Sequence, residues 1–281
     1  MPRPDFLRPL NFFFFAILAV SGYLVSVESF EFTSALVKIA FSMLFLTISA
    51  NVFSEFSSVK IYSLIKHFYP RSWRKNANHS VIASAILFGA GFAVARGISF
   101  YVSELYSLIA VLLWAYLHKL KNVRFIRSVF ISSAASVAVL LGSSAGGSSD
   151  AANMMALLLF FSNMAGDMVK SVTEGMKDRT TFLVNLIKRF SSYMKFDEGR
   201  TIKSAAFMLA VFIILSPLPY VSGVMPLAYL AVVTISSLIA FSALFSLVKD
   251  GKNMASLAKA DELIKINMLV AIIAFLAGVL M

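Results

Sequence analysis

Residues 226–248 read PLAYLAVVTISSLIAFSALFSLV, an unbroken apolar run with no charged side chain, and Lys249 and Asp250 follow immediately. A bilayer core about 30 Å thick is crossed by roughly 17–25 such residues in a helix. A helix on the surface of a soluble domain would show a polar face within that length, and this one shows none. The stretch therefore predicts a membrane-spanning helix. The same reading finds eight more runs, near Pro9–Val27, Thr33–Val52, Val81–Ser99, Val102–Leu117, Ser128–Leu141, Ala151–Val169, Ser204–Val221 and Ile266–Met281. The expected fold is all-α, a polytopic bundle of nine transmembrane helices forming a single domain over residues 1–281. The first run is too long for a cleaved signal peptide and no small-residue cleavage site follows it, so it is expected to remain as a helix.

Composition agrees. Of 281 residues, 59% are apolar and 14% charged, and the mean hydropathy is +0.83, far from a soluble domain. Cysteine is absent, which excludes disulfides, thiolate metal sites and a cysteine nucleophile.

Lys and Arg prefer the cytoplasmic side of short loops. Arg3 and Arg8 precede the first run. Lys60, Lys66, Arg71, Arg74 and Lys75 follow the second, and Lys119, Lys121, Arg124 and Arg127 follow the fourth. Lys170 to Lys203 lie between the sixth and seventh, and Lys249, Lys252, Lys259 and Lys265 between the last two. These account for 23 of the 25 basic residues, leaving Lys38 and Arg96 for the other face. The N-terminus is thus expected in the cytoplasm of a multi-pass cell-membrane protein, and Met281 outside. The same sorting explains the net charge of +11, so no nucleic-acid partner is implied. Anionic lipid headgroups or a phosphorylated substrate are the partners such a face would attract. External connections are read as short, Glu28–Phe32 and the Gly/Ser-rich Gly142–Ser149 among them, which puts the chemistry on the cytoplasmic side.

Carboxylates are costly near a membrane and ask for an explanation. Asn51 and Glu55 are four residues apart at the end of the second run. Asp167, Lys170, Glu174 and Asp178 follow at spacings of three, four and four, which keeps them in one stripe of a helix. Mg²⁺ takes oxygen ligands and is commonly held by a few carboxylates together with substrate phosphates. Two such stripes facing each other at the mouth of one cavity would suit a diphosphate. The plainer reading is that these acids neutralise neighbouring Lys and Arg at a wet helix end.

The chain resembles the UbiA superfamily of intramembrane prenyltransferases along nearly its whole length. The resemblance rests on Leu7-Arg8-Pro9-Leu10-Asn11, the count of nine helices, the Tyr116–Lys121 segment, the Lys170–Asp178 stripe, Ser216-Pro217-Leu218-Pro219-Tyr220, and the Lys265 entry to a last helix holding Ala274-Phe275-Leu276-Ala277-Gly278. The family's first motif reads Asn, Asp, two residues, Asp, three residues, Asp; the matching positions here are Asn51, Val52, Glu55 and Val59. Its second reads Lys-Asp, one residue, Glu-Asp, two residues, Gly-Asp; here Lys170 and Asp178 are retained and Glu174 stands lengthened for an Asp, while Ser171 and Thr173 replace acids. An Arg-Pro stretch after the first motif is reduced to Tyr69-Pro70-Arg71-Ser72, with Arg74 and Lys75 nearby.

The resemblance implies a Mg²⁺-dependent transferase that moves a polyprenyl group, geranylgeranyl in particular, from its diphosphate to a lipid acceptor such as geranylgeranylglyceryl phosphate in archaeal membrane-lipid synthesis. It assigns Glu55, Glu174 and Asp178 to the metal, Lys121, Lys170, Arg71 and Arg74 to the departing diphosphate, and Asn51, Tyr116 and Lys60 to substrate. The Phe and Tyr supply would line an isoprenoid tunnel and shield the cation. The lost acids allow an alternative, a pseudoenzyme that binds isoprenoid or phospholipid without turnover. A transporter is the third reading, disfavoured by the absence of a mid-membrane charge cluster in the sequence.

Overall fold

The computed structural model describes residues 9–29, 33–65, 71–118, 124–179, 198–250 and 253–280, with side chains described for 13–29, 33–53, 81–115, 125–173, 199–249 and 253–279. Every regular element among them is helical. The long helices are α1 Pro9–Val27, α2 Ser34–Ile65, α3 Arg71–Arg96, α4 Phe100–His118, α5 Arg124–Gly146, α6 Asp150–Arg179, α7 Glu198–Leu215, α8 Leu227–Asp250 and α9 Met254–Leu280, with a single extra turn at Leu218–Val221.

Among the described residues, six helical stretches have the length and apolarity to cross a membrane, over Ser34–Phe53, Phe125–Gly146, Asp150–Thr173, Gly199–Val221, Leu227–Lys249 and Met254–Val279. Three carry shorter apolar stretches, Phe13–Val27, Val81–Arg96 and Phe100–Ala115. Several helices run well past the apolar run that announces them. At 1.5 Å per residue, the 32 residues of α2 and the 30 of α6 extend about 45 Å, half as long again as the hydrocarbon core. Charge ends a hydropathy run but not a helix, since the backbone ladder continues wherever no Pro or Gly breaks it. The cations Lys60, Arg71, Arg74, Lys75, Lys259 and Lys265, expected in loops, accordingly sit in helices.

Two compact units divide the chain, residues 1–122 with 133–156, and 123–132 with 157–281. In the first, α2 packs on α1, α3 and α4, and α3 on α4. Ser49 and Ser84 bond across α2 and α3 through Ser84 Oγ to the Ser49 carbonyl, 3.0 Å, and Ser49 Oγ to the Ser84 carbonyl, 2.9 Å. Tyr106, fully buried, reaches from α4 to the Phe88 carbonyl at 3.2 Å.

Helices α1 and α5 approach backbone to backbone in this unit. A Cβ built on Gly142 would lie 1.8 Å from the Ala19 carbonyl oxygen, and one on Gly22 would lie 2.1 Å from that of Val139. Gly146, one turn beyond Gly142, meets Val27 and Ser26. Lipid tails are as apolar as Leu, so helices in a bilayer associate by close backbone approach, and small residues four apart permit it. The expectation that Gly142–Ser149 is an external loop is therefore corrected: Gly142–Gly146 close α5 as a packing seam, and only 147–149 connect. Ser149 then caps α6, its hydroxyl accepting from the Ala152 N–H at 3.2 Å.

In the second unit, α8 packs on α9 and α7. Pro217 has no N–H to offer the Ile213 carbonyl; Ser216 Oγ donates to it instead, 2.9 Å. The carbonyl of Ser216 accepts the Tyr229 hydroxyl at 2.7 Å, and the buried Tyr229 ring packs on Phe275 with centroids 4.8 Å apart.

Candidate functional site

Asn51 lies on α2, half-buried, and its Nδ2 donates to the Thr47 carbonyl one turn back at 2.9 Å. That bond commits the amide nitrogen and leaves Oδ1 as the group to offer a cation or a hydroxyl. Glu55 and Lys60 follow on the same helix, Arg71 and Arg74 open α3, and Tyr116 ends α4. Their backbone is helical and their side chains are outside the described residues, as is Lys121 altogether. On α6, Lys170 is half-buried, and Glu174 and Asp178 continue the helix. The spacing of four in both sequence clusters is therefore helical spacing, so each cluster forms a stripe along its own helix. Asn51 and Glu55 belong to the first unit, and Lys170, Glu174 and Asp178 to the second. Among the described residues no three His, Asp or Glu are grouped to hold a metal; the three acids assigned to it, Glu55, Glu174 and Asp178, are not in that set.

What the structure does bring together lies one turn before Lys170. Asp167 takes the Ser128 hydroxyl on Oδ2 at 2.8 Å and Arg127 Nη2 on Oδ1 at 3.4 Å. Both charged side chains are 12% exposed, and Ser128 is fully buried. Both helices are within their candidate spans here. An ion pair in such a setting stands only when each charge has the other and further hydrogen bonds.

The polar character continues inward. Asn267 on α9 donates through Nδ2 to Ser162 Oγ of α6 at 3.0 Å, and Ser236 Oγ of α8 donates to Asn267 Oδ1 at 2.6 Å. Beside this closed network, Ser132 Oγ on α5 and Asn163 Nδ2 on α6 are sealed from solvent and have no hydrogen-bond partner.

Sequence reasoning placed Asp167 in the α6 stripe but missed its partners. Arg127 and Ser128 were read as a topological charge and the start of an apolar run. The available signal was an acid inside an apolar run, which requires a cation on some neighbouring helix.

Set against known proteins, the chain matches no family model. It is 23% identical over 276 residues to digeranylgeranylglyceryl phosphate synthase of Methanocaldococcus jannaschii, covering 98% of this chain and 94% of that one. It is 25% identical over 209 residues to the synthase of the same name from Methanopyrus kandleri, 70% of this chain and 71% of that one. Among solved structures it superposes with a TM-score of 0.76 on one described in terms of digeranylgeranylglyceryl phosphate synthase in membranes, at 22% identity over 97% of this chain and 95% of that one. A UbiA homologue from Aeropyrum pernix superposes with a TM-score of 0.64 at 16% identity, over 97% and 98% of the two chains.

Helix order, apolar spans and these superpositions define an all-α, multi-pass membrane protein with the fold of the UbiA homologues. With the sequence likeness added, the chain is similar over nearly its whole length to an archaeal digeranylgeranylglyceryl phosphate synthase.

Proposed function

We propose that this protein is a prenyltransferase of archaeal-type lipid synthesis, moving a geranylgeranyl group from its diphosphate to the hydroxyl of geranylgeranylglyceryl phosphate. The observation that carries the reading is the likeness to a synthase of that name along 98% of this chain. The nine long helices among the described residues are assigned as nine crossings, with the N-terminus cytoplasmic, because 23 of 25 basic residues then share one face.

Glu55 and Asn51 Oδ1 in the first unit, and Glu174 and Asp178 in the second, are oxygen donors of the kind Mg²⁺ takes. The ion would neutralise diphosphate oxygens as negative charge develops on the leaving group. Lys170 adds a fixed cation one helical turn from Glu174, and Lys121, Arg71 and Arg74 add others for the same developing charge. Asn51, Lys60 and Tyr116 would orient the substrate. The allylic carbon loses its bond to the diphosphate oxygen and gains one to the acceptor oxygen, while the acceptor hydroxyl gives up its proton to the departing diphosphate. Val52 and Val59 weaken the metal set without removing it, because the donor's own phosphates supply oxygens.

The test is transfer from labelled geranylgeranyl diphosphate to geranylgeranylglyceryl phosphate, followed as ether product and free diphosphate. The expected result is Mg²⁺-dependent product, a rate about 100-fold lower in Asp178→Asn, and a lower Mg²⁺ requirement when Val52→Asp and Val59→Asp are combined. No product from the unaltered protein at any Mg²⁺ concentration refutes the activity. Orientation is tested separately: in this cysteine-free chain, Ser148→Cys should react with an impermeant reagent from outside and Ser192→Cys should not. The reverse pattern overturns the topology.

A further inference from the structure

The seam between α2 and α3 ends on charge. Ser49 bonds to Ser84 across it, and a Cβ built on Gly91 would lie 3.1 Å from that of Phe45, so the two helices run antiparallel. The facing positions recur at spacings of four, three and four, with Lys38, Ser42, Phe45 and Ser49 on α2 and Ser84, Phe88, Gly91 and Ala95 on α3, the period of a packed helix pair. Ser42, Ser49, Ser84 and Ala95 are buried there. Eleven residues, about three turns, separate Lys38 from Ser49 and Ala95 from Ser84. The register therefore brings Lys38 to the rung of Ala95, with Arg96 beside it. A helix seam in a membrane is ordinarily filled by small or apolar residues; this one finishes on an exposed lysine next to an exposed arginine. Lys38 is the fifth residue of the apolar stretch Ser34–Phe53, and Arg96 closes Val81–Arg96. Among the described residues neither makes an ion pair. The Arg96 guanidinium lies 4.3 Å from the Phe100 ring centroid, and Phe41 and Phe92, one turn inward from the two cations, are exposed.

We propose that Lys38 and Arg96 clasp the phosphate of one anionic phospholipid at this end of the α2–α3 pair. A cation within an apolar span calls for an anion near it, and here the protein supplies none. Two cations at one rung of adjacent helices give a phosphate several charge-assisted hydrogen bonds, from Lys38 Nζ and from the guanidinium. Lying over Phe100 by its face, the guanidinium keeps its edge N–H groups free to donate to phosphate oxygens. The exposed rings of Phe41 and Phe92 extend inward from the cations, in the direction that hydrocarbon chains run from a headgroup. A phospholipid gains from both parts of the surface, and a free phosphate ion only from the first. The clasp stands at the opposite end of the α2 span from Asn51, thirteen residues or about 20 Å away. It is thus separate from the residues assigned to the donor diphosphate, and it stands whether or not the protein transfers isoprenoid.

The experiment takes the full-length protein, delipidated in mild detergent, and reads bound lipid by native mass spectrometry as phosphatidylglycerol is added. Diacylglycerol with the same chains is the probe without phosphate. The unaltered protein should hold one phosphatidylglycerol about 25-fold more tightly than diacylglycerol, about fivefold for each cation. Lys38→Gln and Arg96→Gln should each weaken phosphatidylglycerol about fivefold, and the double substitution should abolish the preference while diacylglycerol binding stays unchanged. Both side chains are exposed, so the variants should keep the thermal midpoint of the unaltered protein. The control is Lys249→Gln, which removes another exposed cation near an aromatic ring, that of Phe245 at 5.7 Å, and it should change neither affinity. If Lys249→Gln costs as much as Lys38→Gln, the lipid responds to net charge alone and the clasp is overturned. A preference for phosphatidylglycerol that survives the double substitution overturns it as well. The source of the phosphate is settled by adding excess inorganic phosphate, with chloride at the same ionic strength as reference. Retention of the lipid in both upholds the phospholipid, and displacement by phosphate but not by chloride makes the free ion the ligand and overturns it.

Discussion

One helix, α5, is held in two chemically different ways. Its C-terminal half, with Val139, Gly142 and Gly146, is pressed backbone to backbone on α1. Its N-terminal turns, with Arg127 and Ser128, are tied to α6 by a charge pair and a hydroxyl. Neither contact draws on the hydrophobic effect, which is weak between helices already surrounded by lipid. The glycine contact is complete in itself and admits nothing further. The polar contact is directional, and one turn further along the same two helices Ser132 Oγ and Asn163 Nδ2 have no hydrogen-bond partner.

The glycine contact should break hardest. Gly142→Leu drives a side chain into the Ala19 backbone, whose oxygen would lie 1.8 Å from the first added carbon. We expect loss of folded protein or a stability decrease above about 3 kcal/mol, read as the thermal midpoint in detergent. The control is Gly89→Ala, where an added Cβ meets nothing within 4 Å, and it should change stability by no more than about 1 kcal/mol. If both glycines tolerate substitution equally, close approach is not what holds α1 to α5.

A smaller and more selective effect is expected at the polar contact. Asp167→Ala leaves Arg127 without its carboxylate inside the span and should cost about 3 kcal/mol. Asp167→Asn, which retains an oxygen for Ser128, should cost less than half of that. The same thermal measurement checks both. Equal losses would mean that the charge contributes nothing and that packing alone holds the seam.

Which parts were legible in the sequence follows from the same contrast. The apolar runs were, because about twenty uncharged residues have few other uses, and each run falls largely within one helix of the structure except 204–221, which breaks at Ser216-Pro217. Helix ends were not: Lys60, Arg74 and Lys259 stopped the hydropathy reading, yet the backbone ladder ignores them. Gly142–Ser149 was misread because glycine and serine suit a turn and a close helix contact equally well, and only the partner helix distinguishes the two. The Lys170, Glu174 and Asp178 spacing was legible as a stripe because it depends on one helix alone. The pairing of Arg127 with Asp167 was not, since forty residues separate them and a contact between two helices leaves no periodic trace in either.

The break at Ser216-Pro217 bears on how the protein enters the bilayer. The Ile213 carbonyl is satisfied by its neighbour Ser216, but the Ser216 carbonyl waits for Tyr229, thirteen residues later and on the next helix. A nascent α7 alone would carry that exposed carbonyl into hydrocarbon, where an unmet group costs several kcal/mol. Delivered together, α7 and α8 bring donor and acceptor at once. Partition of this segment from the translocon into lipid is therefore favoured as a two-helix hairpin, with Tyr229 serving as the latch that makes the first helix fit to leave water.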